Sequence, residues 1–216
     1  MIERIQDLIE NYSSNEYYKT YRKDETSYWG NILKMMEQDT EQVADVLDVG
    51  CAYGTLAAFA REHYKADVEA IDFKPIIDSK VITYFDIDFF IADIELTDIP
   101  VKRYDRIIFT EVLEHLYFNP IPTLRKLRDG LKPGGKLFLS TPDAKAWGRI
   151  TKFYNSVDEM PNPQITKPDV DEHVYQYSRE ELIDILLEAG LIMTKDYSTP
   201  RHFQLELMND DDEDNF

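Results

Sequence analysis

The 216-residue sequence has a single cysteine, Cys51. No intramolecular disulfide can form, which suits a reducing compartment. Long apolar runs are also missing. Nothing approaches the ~18–20 apolar residues that a membrane-spanning helix needs, and Met1–Asp7 has no apolar signal core. The expected location is cytoplasmic, with no membrane association. Positive charge is scarce: 24 Lys and Arg stand against 42 Asp and Glu, a formal net charge of −18. Phosphate backbones bind mainly through Lys and Arg, so nucleic acid and anionic lipid are disfavoured as partners, a local basic groove aside. Hydrophobic residues make up 43% of the chain, enough for one domain with a sizeable core. A monomer or homodimer is expected.

Glycine is scarce too, eight in all, so two of them close together are informative. Val46-Leu47-Asp48-Val49-Gly50-Cys51-Ala52-Tyr53-Gly54 is a short apolar run broken by a glycine, with a second glycine four residues on. The helix-forming run Thr55–Ala60 follows directly. This is strand, tight loop and helix, the first half of a βαβ unit. Such a loop exposes the free N–H groups of the next helix to a ligand. An ordinary strand-to-helix turn has the same outline. The dinucleotide fingerprint is not met, because Ala52 stands where a glycine is needed beside a pyrophosphate. Asp48 suits a cation, such as an amino group or a sulfonium.

Ile2, Ile5, Leu8 and Ile9 fall at helical spacing over residues 2–11, and a second helix is expected from about Ser27 to Gln38. Asn11–Thr20 reads as a loop or short helix. Asp67–Asp72 is a second strand ending in an acid, placed by βα geometry to accept the hydroxyls of a ribose. A third strand reads over Asp88–Asp93 and a fourth over Tyr104–Thr110. Pro120 and Pro122 open a helix that buries Leu124, Leu127 and Leu131. Lys132-Pro133-Gly134-Gly135 ends it and turns into a fifth strand over Lys136–Pro142. Trp147, Ile150, Phe153 and Tyr154 suggest a helix, and Met160–Pro168, with three prolines, a loop. Ser178-Arg179-Glu180-Glu181 is a capping box that starts a helix with Leu182, Ile185, Leu186 and Ala189 inward, ended by Gly190. Leu191–Tyr197 and His202–Met208 read as a final hairpin, and Asn209–Phe216 as an acidic, disordered tail.

The glycine loop resembles the first motif of the class I S-adenosylmethionine (SAM) methyltransferases, roughly D-x-G-x-G-x-G. It is carried here by Asp48, Gly50, Ala52 and Gly54, with alanine for the middle glycine. Y-D-R-I-I from Tyr104, E-V-L-E-H-L from Glu111 and L-K-P-G-G-K-L-F-L-S-T-P from Leu131 extend the likeness, so that five ordered blocks cover about 46–142. The resemblance implies a three-layer α/β/α, Rossmann-like fold with a seven-stranded, mostly parallel sheet and one antiparallel strand. It implies a single domain over 1–208, with a helical lid over 1–40 and a substrate-pocket insert over 143–177. It implies SAM as cofactor and S-adenosylhomocysteine (SAH) as product, bound by Asp48, Gly50, Cys51, Ala52, Gly54, Asp72, Phe73, Asp93, Ile94 and Glu111. Asp93 would meet the adenine amino group, with Ile94 against the ring. Tyr17, Tyr18, Tyr21, Tyr28 and Trp29 are candidate lid aromatics, with core packing the alternative for each.

Glu111, Glu114 and His115 share one face if their segment is helical, at the carboxyl end of a central strand, and His173 can reach the same place. Three readings stay open. His115 or His173, with His115 preferred, is a general base. Or Glu111, Glu114, His115 and His173 hold a divalent metal, a set similar to that of ubiquinone-biosynthesis O-methyltransferases and small-RNA terminal 2′-O-methyltransferases. Or Glu111 merely lines the cofactor pocket and His115 is packed. The function expected is methyl transfer to a hydroxyl, less readily an amine, of a small molecule, sugar or natural product. Terminal 2′-O-methylation of RNA and SAM binding without turnover are the alternatives.

Overall fold

The computed structural model describes residues 1–147 and 173–210. Its sheet has seven strands: β1 (Asp45–Val49), β2 (Asp67–Asp72), β3 (Asp88–Ile91), β4 (Tyr104–Thr110), β5 (Leu131–Pro142), β6 (Leu191–Asp196) and β7 (His202–Asn209). Their order is β3-β2-β1-β4-β5-β7-β6. The pairings among β1 to β5 are parallel, whereas β7 runs antiparallel to both β5 and β6. The expected fold class is the one formed, and the antiparallel strand does come from the last hairpin.

Strand alternation divides the core into two layers. Val46, Val68, Ala70, Ile108 and Phe138 face one side. They pack there on helices α1 (Ile2–Tyr12), α2 (Tyr18–Gln38), α3 (Thr55–Tyr64) and α4 (Ser79–Phe85). Leu47, Val49, Ile107, Phe109, Leu137 and Leu139 face the other side, against α5 (Pro120–Gly130) and α7 (Arg179–Glu188). The short α6 (Ala144–Trp147) follows β5. The capping box forms as expected: the Ser178 hydroxyl accepts from the Glu181 N–H while the Glu181 carboxylate accepts from the Ser178 N–H.

Several boundaries differ from the sequence reading. Helix α2 begins at Tyr18, well before Ser27, and bends at Trp29, whose backbone is non-helical (φ −139°, ψ 16°). Leu131 belongs to β5, not to the preceding helix. The strand absorbs Lys132–Gly135 through a register shift, with Gly134 at φ 75°. Helix α4 was not foreseen. The third strand stops at Ile91, leaving Asp93 on the connection after it. Tyr18 and Trp29 are buried core residues, Tyr17 is exposed, and Tyr21 and Tyr28 are partly buried. Of the helix suggested around Trp147–Tyr154, all but Trp147 lies outside the described residues, as do the proline-rich loop and nearly all of the acidic tail. Among the described residues no helix is long and apolar enough to cross a membrane.

At the amino end of the sheet, Arg106 is buried and its guanidinium meets Asp39 at 2.5 Å and Glu41 at 2.6 Å. Lys136 joins the same two acids at 3.2 and 2.8 Å. A buried arginine needs such pairing, because an uncompensated buried charge costs several kcal/mol. The network ties β4 and β5 to the segment after α2 and leaves the carboxyl ends of the strands for the site.

Candidate active site

Strand β1 carries Asp48 to the base of the glycine loop on the α3 side of the sheet. The carboxylate is 2% exposed and bonded to the backbone of Ala57 in the first turn of α3. Its Oδ2 is buried with no hydrogen-bond partner. Burial first, then the neighbouring Asp72 carboxylate, push its pKa up to about 7. A buried acceptor left over in this way suits a cationic group arriving at the loop.

The loop glycines have a structural reason that the sequence did not reveal. Gly50 and Gly54 sit at φ 75° and 81°, in the left-handed region. A Cβ on Gly50 would lie 2.3 Å from Val112 Cγ2, and one on Gly54 2.4 Å from Ile77 Cδ1. The space therefore goes to the protein's own side chains, not only to a ligand. Ala52, where the motif has its middle glycine, is also left-handed (φ 46°). An L-residue pays roughly 1–2 kcal/mol for that. Its N–H donates to Asp72 Oδ2 at 2.9 Å, and the Lys74 N–H donates to Oδ1 at 3.0 Å. Asp72 at the tip of β2 is thus fixed beside the loop.

Of the other expected cofactor contacts, Cys51 is buried. Burial, Asp48 and Asp72 raise its thiol pKa well above the ordinary value, which keeps it protonated. Phe73 is exposed, with the Lys74 ammonium 4.8 Å above its ring. Asp93 accepts the Glu95 N–H at 3.0 Å, and Ile94 is buried in the second core layer.

Beyond β4 the chain does not form the α-helix that would align Glu111, Glu114 and His115. Glu111 is left-handed (φ 53°), and only Leu113–His115 make a single 3₁₀ turn. The two carboxylates consequently take different partners. Glu111 Oε1 accepts from the Ser140 hydroxyl at 2.8 Å, and its Oε2 lies 3.6 Å from His202 Nε2. Glu114 is fully buried and accepts from the Thr141 hydroxyl at 2.9 Å, while its Oε1 has no hydrogen-bond partner. Burial raises the pKa of both carboxyls, and for Glu111 the nearby Glu114 adds to it.

His173 is held close because the Val174 and Tyr175 N–H groups donate to the Glu114 carbonyl at 2.7 and 3.2 Å. Its ring meets His115 edge-on, centroids 4.8 Å apart, and its Nδ1 is 2.9 Å from Gln176 Nε2. Glu114, His115 and His173 each offer a ligand atom, all within 4.8 Å of one another. Three of the four residues expected to gather do so. Glu111 is outside that group.

The sequence reading missed His202. It was legible only as a strand residue. Because β7 inserts beside β5, pairing His202 with Pro142, the imidazole reaches the strand ends next to Glu111. Tyr21, a candidate lid aromatic with core packing as the alternative, is partly buried and packs against the first core layer. It meets Tyr53 of the loop (5.2 Å) and Tyr28 (6.1 Å), and Tyr28 meets His202 (5.5 Å).

A family model described as a methyltransferase domain matches residues 20–195. This chain belongs to that family, and its fold is that of the class I SAM-dependent enzymes. Among curated proteins it is 30% identical to a malonyl-[acyl-carrier protein] O-methyltransferase of Acetivibrio thermocellus, over 57% of this chain and 44% of the relative. It is 33% identical to a ubiquinone biosynthesis O-methyltransferase of Coxiella burnetii, over 50% of this chain and 48% of the relative. The chain thus spans less than half the length of these curated relatives. Among solved structures it is similar to the 1,6-didemethyltoxoflavin-N1-methyltransferase of Burkholderia thailandensis, which holds 1,6-didemethyltoxoflavin and SAH. That likeness has a TM-score of 0.64 at 15% identity and covers 91% of this chain and 90% of that one. A SAM-dependent methyltransferase from Listeria monocytogenes, so described with reserve, matches with a TM-score of 0.59 at 19% identity, over 83% and 96% of the two chains. The methyltransferase domain's cofactor is SAM.

Proposed function

We propose that this methyltransferase domain transfers the methyl group of SAM to a hydroxyl of a small-molecule acceptor. The observation that carries the reading is the buried, unpartnered Asp48 Oδ2 beneath the glycine loop, with Asp72 fixed beside it. Asp48 would take the ammonium of the cofactor's amino-acid end and Asp72 the ribose hydroxyls. The cofactor supplies a methyl already activated by its sulfonium. What remains for the protein is to align the acceptor, a contribution that can reach roughly 7–11 kcal/mol, and to receive its proton. Oxygen as the methylated atom is favoured by the names of the curated relatives, and the net charge of −18 opposes an RNA acceptor. Calorimetric titration with SAH is expected to show saturable binding. The Asp72→Ala variant should bind roughly 1–3 kcal/mol more weakly, the range for hydrogen bonds to a charged group. No heat at millimolar SAH would end this reading.

A second reading of the strand-end cluster is favoured by the closeness of Glu114, His115 and His173. One carboxylate and two imidazoles suit manganese, iron or zinc better than magnesium. The orphaned Glu114 Oε1 is an acceptor that an ion would satisfy. Titration of the protein with Zn²⁺ or Mn²⁺ tests this without an acceptor. A 1:1 binding event lost in both Glu114→Ala and His173→Ala supports the metal. An unchanged event in those variants, or none in the wild type, leaves His115 or His173 as a proton acceptor or a packed residue.

A further inference from the structure

The connection from β3 to β4 is tied to its surroundings at several points, and Asp93 stands at its head. The Leu96 and Thr97 N–H groups donate to the Asp93 carbonyl at 3.0 and 2.8 Å, closing one turn of backbone. Within that turn the Glu95 N–H donates to the Asp93 carboxylate at 3.0 Å. The Glu95 carboxylate accepts from the Tyr117 N–H at 2.9 Å and from the Phe118 N–H at 2.8 Å. Those two residues lie just beyond the 3₁₀ turn Leu113–His115. The Ile94 side chain is buried in the second core layer.

Lys126 completes the arrangement from α5. Its half-buried ammonium donates to the Ile94 carbonyl at 2.7 Å and to the Thr97 carbonyl at 2.6 Å. Burial lowers its pKa, while the carboxylates of Asp98, Asp93 and Glu95 act to raise it. Elsewhere Lys19, Lys132, Lys136 and Lys195 each bond a carboxylate. Lys126 has three acids acting on it, yet the groups it bonds are backbone carbonyls. A charged donor makes a stronger hydrogen bond than a neutral one, and this one fixes the path of the chain on both sides of Glu95. The same helix receives the connection again at Ile99. A Cβ on Gly130 would lie 2.8 Å from Ile99 Cδ1.

We infer that Lys126 is a positioning residue for the cofactor's adenine. By clamping the Asp93–Thr97 turn to α5 it holds the Asp93 carboxylate opposite the amino group of the base. The inference rests on the reading of Asp93 as the residue that meets that group. A carboxylate held there accepts from an amino group and is repelled by a carbonyl oxygen in the same place. Rejection of the carbonyl requires that the carboxylate stay put. On a slack turn it can move aside, or accept instead from the ring N–H that accompanies a carbonyl in the base.

Calorimetric titration with SAH and with S-inosylhomocysteine, the analogue carrying a carbonyl in place of the adenine amino group, tests this. The wild type should prefer SAH by at least about tenfold. Lys126→Met should still bind SAH but reduce the preference to about threefold or less, a free-energy difference below that of a tenfold ratio. Lys126→Arg, whose guanidinium can donate to both carbonyls, should keep most of the preference, and Asp93→Ala should abolish it. A role in stability alone has a different signature. Lys126→Met would then melt lower and weaken both ligands equally, and that unchanged ratio overturns the proposal. Should Lys126→Met not fold, the milder Lys126→Gln gives the same comparison: a ratio below the wild type's supports the proposal and an equal ratio overturns it. Equal binding of the two ligands by the wild type also overturns it, with the methyltransferase reading intact. No SAH binding by the wild type sinks that reading, and the role of Lys126 falls with it.

Discussion

Asp48 carries two demands that pull in opposite directions. Without cofactor, a carboxyl buried at 2% exposure and bonded only to the backbone of Ala57 is destabilising when ionised. Its pKa rises on folding from 3.8 to about 7. A carboxyl shifted upward favours the folded state while protonated, so its contribution is full below the unfolded value and is lost as pH rises toward about 7. An ammonium ligand reverses this by stabilising the ionised form. Asp48→Asn is therefore expected to raise the melting temperature of the cofactor-free protein at pH 8. The gain should be a few degrees, corresponding to about 1 kcal/mol in a domain of this size, and should shrink at pH 5. The same variant should bind SAH roughly 1–3 kcal/mol more weakly. Wild-type affinity should fall from pH 8 to pH 6, while the variant's stays flat over that range. Calorimetry at the three pH values checks both halves; a variant that is less stable at pH 8 and binds SAH normally would show that Asp48 serves only the loop.

At the scale of elements, the glycine loop is gripped from above by α2. Glu25, buried in that helix, accepts from the Thr55 hydroxyl at 2.6 Å, from Gln6 Nε2 at 2.7 Å and from the Tyr18 hydroxyl at 3.3 Å. Thr55 is the first residue of α3, directly after Gly54, and the Tyr18 ring packs on Tyr53 of the loop at 4.8 Å. Helices α1 and α2 are thereby tied to the turn that presents the cofactor site. Glu25→Ala strands several buried donors and should lower stability by about 1–3 kcal/mol in urea unfolding. Glu25→Gln, whose amide oxygen can still accept from Thr55, should lose less. Equal losses would mean that the charge, not the acceptor geometry, is what matters. This link was invisible in the sequence. The stretch Tyr18–Thr26 has mixed polarity and no side-chain cap at its start, so periodicity placed the helix start at about Ser27 and left Glu25 outside any element. The strands were legible because apolar runs ending in acids or glycines at Val49, Asp72 and Thr110 carry their own boundaries. His202 was not, because its place depends on β7 inserting between β5 and β6, a long-range pairing with no local signal. Glu111 was legible as a candidate at the end of β4 but not in its partners, which follow from a single left-handed backbone position.

For the whole molecule the question is whether the charge of −18 or the ion pairs dominate the response to salt. The exposed pairs, such as Lys19 with Glu16 and Arg125 with Glu188, contribute little, and salt weakens them. The network of Arg106, Asp39, Glu41 and Lys136 is mostly buried and is screened far less. Against these small losses stands the mutual repulsion of a large acidic excess spread over the surface, which opposes the compact state. Raising ionic strength from 10 to 150 mM shortens the screening length from about 30 Å to about 8 Å. That removes repulsion across the width of the domain while leaving the buried network largely intact. Repulsion should win, so the melting temperature is expected to rise with sodium chloride over this range and to level off above it. Reversing the charge of an exposed acid in the middle of a helix, as in Asp184→Lys of α7, should raise the low-salt value more than the high-salt one. A melting temperature that falls with added salt would mean that the surface pairs outweigh the acidic excess.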